Sequence, residues 1–175
     1  MNTNVLILSD THGGHSLVDE VLGKCRPDLL LYCGDGLRDL TYSTIPCPLY
    51  AVRGNCDWSI PVLDCVGGDA PEEQVVPVGD FRVLLMHGHL YHVKGGLTYA
   101  IRRAVEVGAD ALVFGHTHLP LDMTIRPGDN SPWSHMVQKD LHVFNPGSLR
   151  ESPHTFGVLT LRGGVPLFIH GQLET

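Results

Sequence analysis

The sequence predicts an α/β protein, a four-layer αββα sandwich of two mixed β-sheets flanked by helices. Three observations lead there. Short apolar, β-rich runs alternate with helix-spaced segments through the first half. The last third is nearly all strand. Polar residues follow one apolar run after another, as they do at the carboxyl ends of strands in open α/β sheets.

Val5–Leu8 reads as a buried strand that runs into Ser9-Asp10-Thr11-His12-Gly13-Gly14. Ser16 is the expected N-cap of a helix, with Asp19 three residues on and Leu17, Val18, Val21 and Leu22 along one face. Leu29–Cys33 is a second strand, ending at Gly34-Asp35-Gly36. Pro48–Val52 is a third, ending at Arg53-Gly54-Asn55-Cys56-Asp57, with Asp57 the expected N-cap of whatever begins at Trp58. Residues 59–72, punctuated by Pro and Gly, read as a surface loop.

Gln74–Val78 and Phe81–Met86 form a hairpin about Gly79-Asp80, and the second strand runs into His87-Gly88-His89. Residues 97–107 have helical spacing, with Gly108 as the stop. Ala111–Phe114 is a buried strand leading to Gly115-His116-Thr117-His118, and Leu121–Ile125 alternates like a half-buried one. Residues 126–140 read as a loop insertion in a single domain of 1–175. Leu141–Phe144 leads to Asn145-Pro146-Gly147-Ser148, whose Pro-Gly centre is a type II turn signature. Phe156–Leu161 and Val165–Ile169 close the chain as a hairpin about Gly163-Gly164.

Composition narrows the function. Hydrophobic residues are 43% and charged residues 18%, which marks a globular chain. Twelve Lys and Arg against nineteen Asp and Glu give a net charge of −7, which argues against nucleic acid as a partner. Any phosphate must then meet a local positive centre, and a metal is the obvious one. Eleven histidines are the compositional anomaly. The cysteines Cys25, Cys33, Cys47, Cys56 and Cys65 show no CxxC spacing and read as reduced thiols, which with the absence of a signal peptide or membrane span gives a cytoplasmic expectation. Neither GxxxxGK[ST] nor GxGxxG occurs, so the P-loop and dinucleotide readings fail.

Strand ends supply Asp10, His12, Asp35, Asn55, His87, His116 and His118. In extended chain, residues two apart point the same way, so Asp10 and His12, and likewise His116 and His118, are expected to converge. Carboxylates, imidazoles and one amide carbonyl suit Mn²⁺, Fe or Zn²⁺, and seven ligands suit two ions with open positions. A shared carboxylate would hold such ions roughly 3.5–4 Å apart, and a water bridging them would be acidified to hydroxide for in-line attack on phosphorus.

These residues resemble a known family. Asp10-x-His12, Gly34-Asp35, Gly54-Asn55, His87 and Gly115-His116-x-His118 are similar, in order and spacing, to the five motifs of the calcineurin-like metallophosphoesterases. Asn145-Pro146-Gly147-Ser148 extends the match, and Gly54-Asn55-Cys56-Asp57 with the short length resembles the small phosphodiesterases of the YfcE type. The resemblance implies that Asp10, His12 and His118 hold one metal, that Asn55, His87 and His116 hold another, and that Asp35 bridges them. It implies a dinuclear centre, Mn²⁺ first with Fe, Zn or Ni as alternatives, acting on a small phosphodiester.

His89 is expected behind the ligands or facing phosphate. Arg53 is a candidate for bracing the site, for meeting phosphate, or for plain solvated surface. His15, His92, His135, His142, His154 and His170 read as surface or satisfied histidines. Many family members carry His directly after the Gly-Asn pair; here it is Cys56, with a reference pKa of about 8.5, a weaker proton donor to a leaving group. Asp57 could assist only if its surroundings raise its pKa. Two rival readings are a non-catalytic scaffold for protein partners, like the retromer subunit of this fold, and a DNA nuclease, which the short acidic chain disfavours. Oligomeric state is not written in the sequence, and a homo-oligomer is compatible with it.

Overall fold

The computed structural model describes residues 2–58 and 69–174. Cys65 and most of the expected 59–72 loop lie outside them. Among the described residues ten strands form two mixed five-stranded sheets. The first is ordered β10-β9-β1-β2-β3, with β1 (Asn2–Leu8), β2 (Leu29–Tyr32), β3 (Leu49–Ala51), β9 (Thr155–Arg162) and β10 (Val165–Gln172). The second is ordered β4-β5-β6-β8-β7, with β4 (Glu73–Val78), β5 (Phe81–Met86), β6 (Ala111–Val113), β7 (Leu121–Ile125) and β8 (Leu141–Asn145). In each sheet three neighbouring strands pair in parallel (β1, β2 and β3; β5, β6 and β8), and the remaining pairings, β1–β9 and β9–β10 in the first sheet and β4–β5 and β7–β8 in the second, are antiparallel.

Strand alternation sorts the side chains into layers. Val5, Ile7, Leu31, Val83, Leu85, Val113 and Phe144 fill the space between the sheets. Their neighbours Leu6, Leu8, Leu30 and Tyr32 face α1 (His15–Cys25) and α2 (Leu37–Tyr42), while Leu84, Met86, Leu112 and Phe114 face α3 (Thr98–Glu106). Runs buried on both faces are why these strands read as unbroken apolar stretches. Among the described residues no helix is long and apolar enough to cross a membrane.

One local expectation is corrected. Helix α1 begins at His15 with Gly14 as N-cap and no side-chain cap, so Ser16 lies inside the first turn. The preceding loop is fixed from elsewhere: the Asp39 carboxylate accepts the Gly13 amide at 2.9 Å, and Gly14 N–H donates to Thr11 O at 2.8 Å. The segment beyond Trp58 that Asp57 is expected to cap lies outside the described residues; within them its carboxylate serves the start of α2, accepting the Gly36 and Leu37 amides. Residues 126–140 join β7 to β8 and include a single 3-10 turn, Ser134–Met136. Trp133 packs locally there, its indole N–H donating to Thr98 Oγ1 at 3.1 Å beside buried Val137.

Phe144 is fully buried between the sheets, with its ring 5.0 Å from Phe168 and stacked 4.5 Å from His170. Phe144→Ala is expected to lower the unfolding free energy by about 3–4 kcal/mol, read by urea denaturation, because the flanking strands cannot collapse into the gap. A loss below about 1 kcal/mol would show that this layer repacks freely.

Candidate metal centre

The carboxyl ends of β1, β2, β5 and β6 meet at one edge of the sandwich. Backbone bonds weld them: Asp10 N–H to Gly34 O at 3.0 Å, His12 N–H to Asp35 O at 3.3 Å, and Gly115 N–H to His87 O at 3.1 Å. The two sheets join where His87 Nδ1 lies 2.7 Å from Cys33 O. A carbonyl only accepts, so Nδ1 carries the proton and Nε2 presents its lone pair.

The convergence of the polar residues has a different cause from the one expected. Asp10, His12, Asp35, His116 and His118 all have positive φ, between +39° and +66°. Extended geometry ends before each of them, and left-handed kinks turn the side chains inward. Asp and His tolerate this region better than most residues. Two glycines make room: a Cβ on Gly54 would meet Asp35 Oδ1 at 2.1 Å, and one on Gly115 would meet Ser9 Oγ at 2.0 Å.

Among the described residues donor atoms collect in three overlapping sets, each within 4.8 Å: Asp10, His12 and His118; Asp35, His87 and His116; and His12, Asp35 and Cys56. His118 Nε2 is 3.0 Å and His12 Nε2 3.8 Å from Asp10 Oδ1. Asp35 Oδ2 is 3.4 Å from His87 Nε2 and 3.9 Å from His12 Nε2. His116 Nδ1 is 3.2 Å from His87 Nε2. Among the described residues Asp10 Oδ1 is buried with no hydrogen-bond partner, an arrangement that is costly unless a cation meets it. Buried carboxylates facing imidazole lone pairs fit a divalent ion.

Electrostatics split the site. Burial pushes the Asp10 carboxyl up, against His87, the Ser9 hydroxyl and His118. Burial also opposes charge on Asp35, but His87 and the Cys56 amide, which donates to Asp35 Oδ1 at 2.8 Å, hold it well below the usual carboxylate range. Burial opposes charge on His87, yet Asp35 and Asp10 outweigh it and its pKa rises. His116 falls to about 4 through burial and the neighbouring His87. Two imidazoles this close do not both hold an added proton.

The remaining expected residues fall as follows. Asn55 is exposed in the turn after β3, its amide donating to Cys56 Sγ at 3.3 Å. Burial and the Asp35 carboxylate push the Cys56 thiol up to about 11. Asp57 faces away from this chemistry. Its buried carboxylate accepts backbone N–H groups from Asp35, Gly36, Leu37 and Gly54 at 2.8–3.0 Å. Arg53 braces the same turn, donating to Asp57 O at 2.7 Å. The His89 ring lies 5.4 Å from His87 and 6.1 Å from His116, and its Nδ1 is buried without a partner. His142, His154 and His170 are hydrogen-bonded elsewhere and belong to none of the three sets.

Several further residues support the site. Ser9 donates to Asp10 Oδ2, and Thr11 bonds Tyr32 and Asp39 in a buried cluster. The Asn145 amide donates to Gly115 O at 2.9 Å and Thr117 Oγ1 at 3.1 Å, and Ser148 Oγ donates to Asp10 O at 2.9 Å. Of these, only the Asn145–Ser148 turn stood out in the sequence.

Comparison with known proteins agrees with this geometry. Residues 3–164 match the model of the calcineurin-like phosphoesterase superfamily domain. The chain belongs to this superfamily. It is 30% identical over 164 residues to the protein named probable metallophosphoesterase YsnB of Bacillus subtilis, covering 90% of this chain and 84% of that one. Among solved structures it is similar to YfcE, a phosphoesterase from E. coli, at 25% identity and TM-score 0.58, over 89% of this chain and 87% of that one. It shares the fold of vacuolar protein sorting 29 from Cryptosporidium parvum, with TM-score 0.69, 20% identity and 99% coverage of both chains. Members of this superfamily use divalent metals, and the three donor sets give this member candidate positions for them.

Asp57→Asn is expected to destabilise the metal-free protein by roughly 2–3 kcal/mol in urea denaturation. Whichever oxygen becomes NH₂ then faces two N–H donors with no acceptor between them. Stability within about 0.5 kcal/mol of the parent would mean that the turn finds other acceptors.

Proposed function

We propose that the protein is a metal-dependent phosphodiesterase with a dinuclear centre. Asp10, His12 and His118 hold one ion, Asn55, His87 and His116 hold the other, and Asp35 is shared. The observation that carries this reading is the position of Asp35 Oδ2, within 4 Å of His87 Nε2 in one donor set and of His12 Nε2 in the other. Two divalent ions bound there supply Lewis acidity, which activates a water and neutralises phosphoryl charge. Mn²⁺ suits the mixed imidazole and carboxylate donors, with Fe, Zn or Ni as alternatives.

The chain's own groups do the rest. Asp57 holds the Asp35 and Gly54 turns in place and is a positioning residue rather than a proton donor. His87 is fixed as a lone-pair donor by the Cys33 carbonyl. His89 lines the site behind His87 and His116. Cys56 stands at the rim beside Asp35. A thiol there neither neutralises a phosphomonoester dianion nor protonates an alkoxide well, which favours small diesters with good leaving groups.

The alternative is a partner-binding scaffold. The likeness to vacuolar protein sorting 29 is one of fold, and the sequence here carries all seven residues that the resemblance asks for, six of which fall in the donor sets. A scaffold would capture protein partners equally well after chelation.

Chelator-stripped protein is expected to lose hydrolysis of an aryl phosphodiester and to regain it with Mn²⁺, whereas Asn55→Ala does not regain it. A metal-loaded, folded parent that hydrolyses no diester with Mn²⁺, Fe²⁺ or Zn²⁺ sinks the proposal. Across aryl and alkyl diesters of rising leaving-group pKa, the parent rate is expected to fall steeply and that of Cys56→His less so. Equal slopes, with chemistry rate-limiting, would remove Cys56 from the account.

A further inference from the structure

We propose that Glu151 is a positioning residue that sets the affinity of one metal position, and only one, by orienting His118. The inference rests on the metal reading above and adds a residue to it. His118 Nδ1 lies 2.8 Å from Glu151 Oε1. A carboxylate only accepts, so Nδ1 carries the proton, and Nε2 turns its lone pair toward Asp10 Oδ1, 3.0 Å away. A carboxylate behind a ligating imidazole fixes its tautomer and rotation and raises its basicity, and losing one typically costs 10–100-fold in metal affinity.

Glu151 is itself placed from the same side of the site. Its N–H donates to Ser148 Oγ at 3.1 Å, and that hydroxyl donates to Asp10 O at 2.9 Å. Its carbonyl accepts the His154 N–H at 2.6 Å. The turn 148–151 thus grips Asp10 through the backbone and His118 through a side chain. Both belong to one donor set, and neither to the set of Asp35, His87 and His116. In that other set the corresponding support is a backbone carbonyl, Cys33 O on His87 Nδ1, which no side-chain substitution removes.

The Glu151 side chain is 61% exposed, so its bond to His118 adds little to fold stability. Its effect falls on ligation, which is what the test must read. Calorimetric titration of the chelator-stripped protein with Mn²⁺ separates the two positions. The expected result is two ions in the parent, a 10–100-fold weaker affinity for one of them in Glu151→Ala, an unchanged second affinity, and an unchanged melting midpoint without metal. Glu151→Gln keeps an acceptor oxygen for the Nδ1 proton and is expected to recover part of the loss. Parent-like affinities at both positions in Glu151→Ala overturn the inference alone. So does equal weakening at both with a lower metal-free midpoint, which marks a merely structural role. A folded parent that takes up no ion overturns the metal reading and this inference together.

Discussion

Five chemically reactive side chains stand on backbone that L-residues avoid, and the rest of the site exists to keep it there. Asp10 and His12 follow β1, Asp35 follows β2, and His116 and His118 follow β6, all with positive φ. Each such residue costs on the order of 1 kcal/mol, less where Asp or His is the occupant. The cost is met by buried polar groups that grip main chain. Asp57 gathers four amides, Asp39 takes Gly13, Asn145 holds the Gly115 carbonyl, and Ser148 holds that of Asp10. These contacts bind main-chain groups whatever the neighbouring side chains are. They fix the direction of the strand ends before any ligand chemistry begins.

That rigidity leaves an uneven electrostatic field. Asp35 is well compensated by His87 and the Cys56 amide, whereas Asp10 keeps one buried oxygen unpartnered. His87 is drawn toward the charged form and His116 away from it. A cation approaching from solvent therefore meets two different halves: one short of positive charge at Asp10, the other partly neutralised by an imidazole.

The layered architecture was legible because both faces of β1, β2, β5 and β6 are buried, which leaves unbroken apolar runs in the sequence. The short helix α2 was not, since six residues carry too little periodicity to read. The convergence of Asp10 with His12 was anticipated from strand spacing, yet the backbone reaches it through left-handed turns that sequence spacing does not encode. Ser16 and Asp57 resembled local caps because local grammar is all that a sequence displays. Asp57 reaches the amides of Asp35, Gly36 and Leu37 and Asp39 reaches that of Gly13, each twenty or more positions away, and Asp39 carries no mark of that duty. Glu151 looks like any surface acid until the fold brings it to His118.

Strand β1 lies between β2 and β9, pairing Val5 with Leu29 on one side and with Leu159 on the other. Asp10, at the end of β1, is thus made well before β9, the strand that covers the other edge of β1. During synthesis the emerging amino-terminal half has an open, strongly apolar β1 edge and no finished cluster, since His118 and Ser148 are still to come. A nascent chain therefore depends on segments far along the sequence, β9 to close a sticky edge and His118 and Ser148 to complete the cluster.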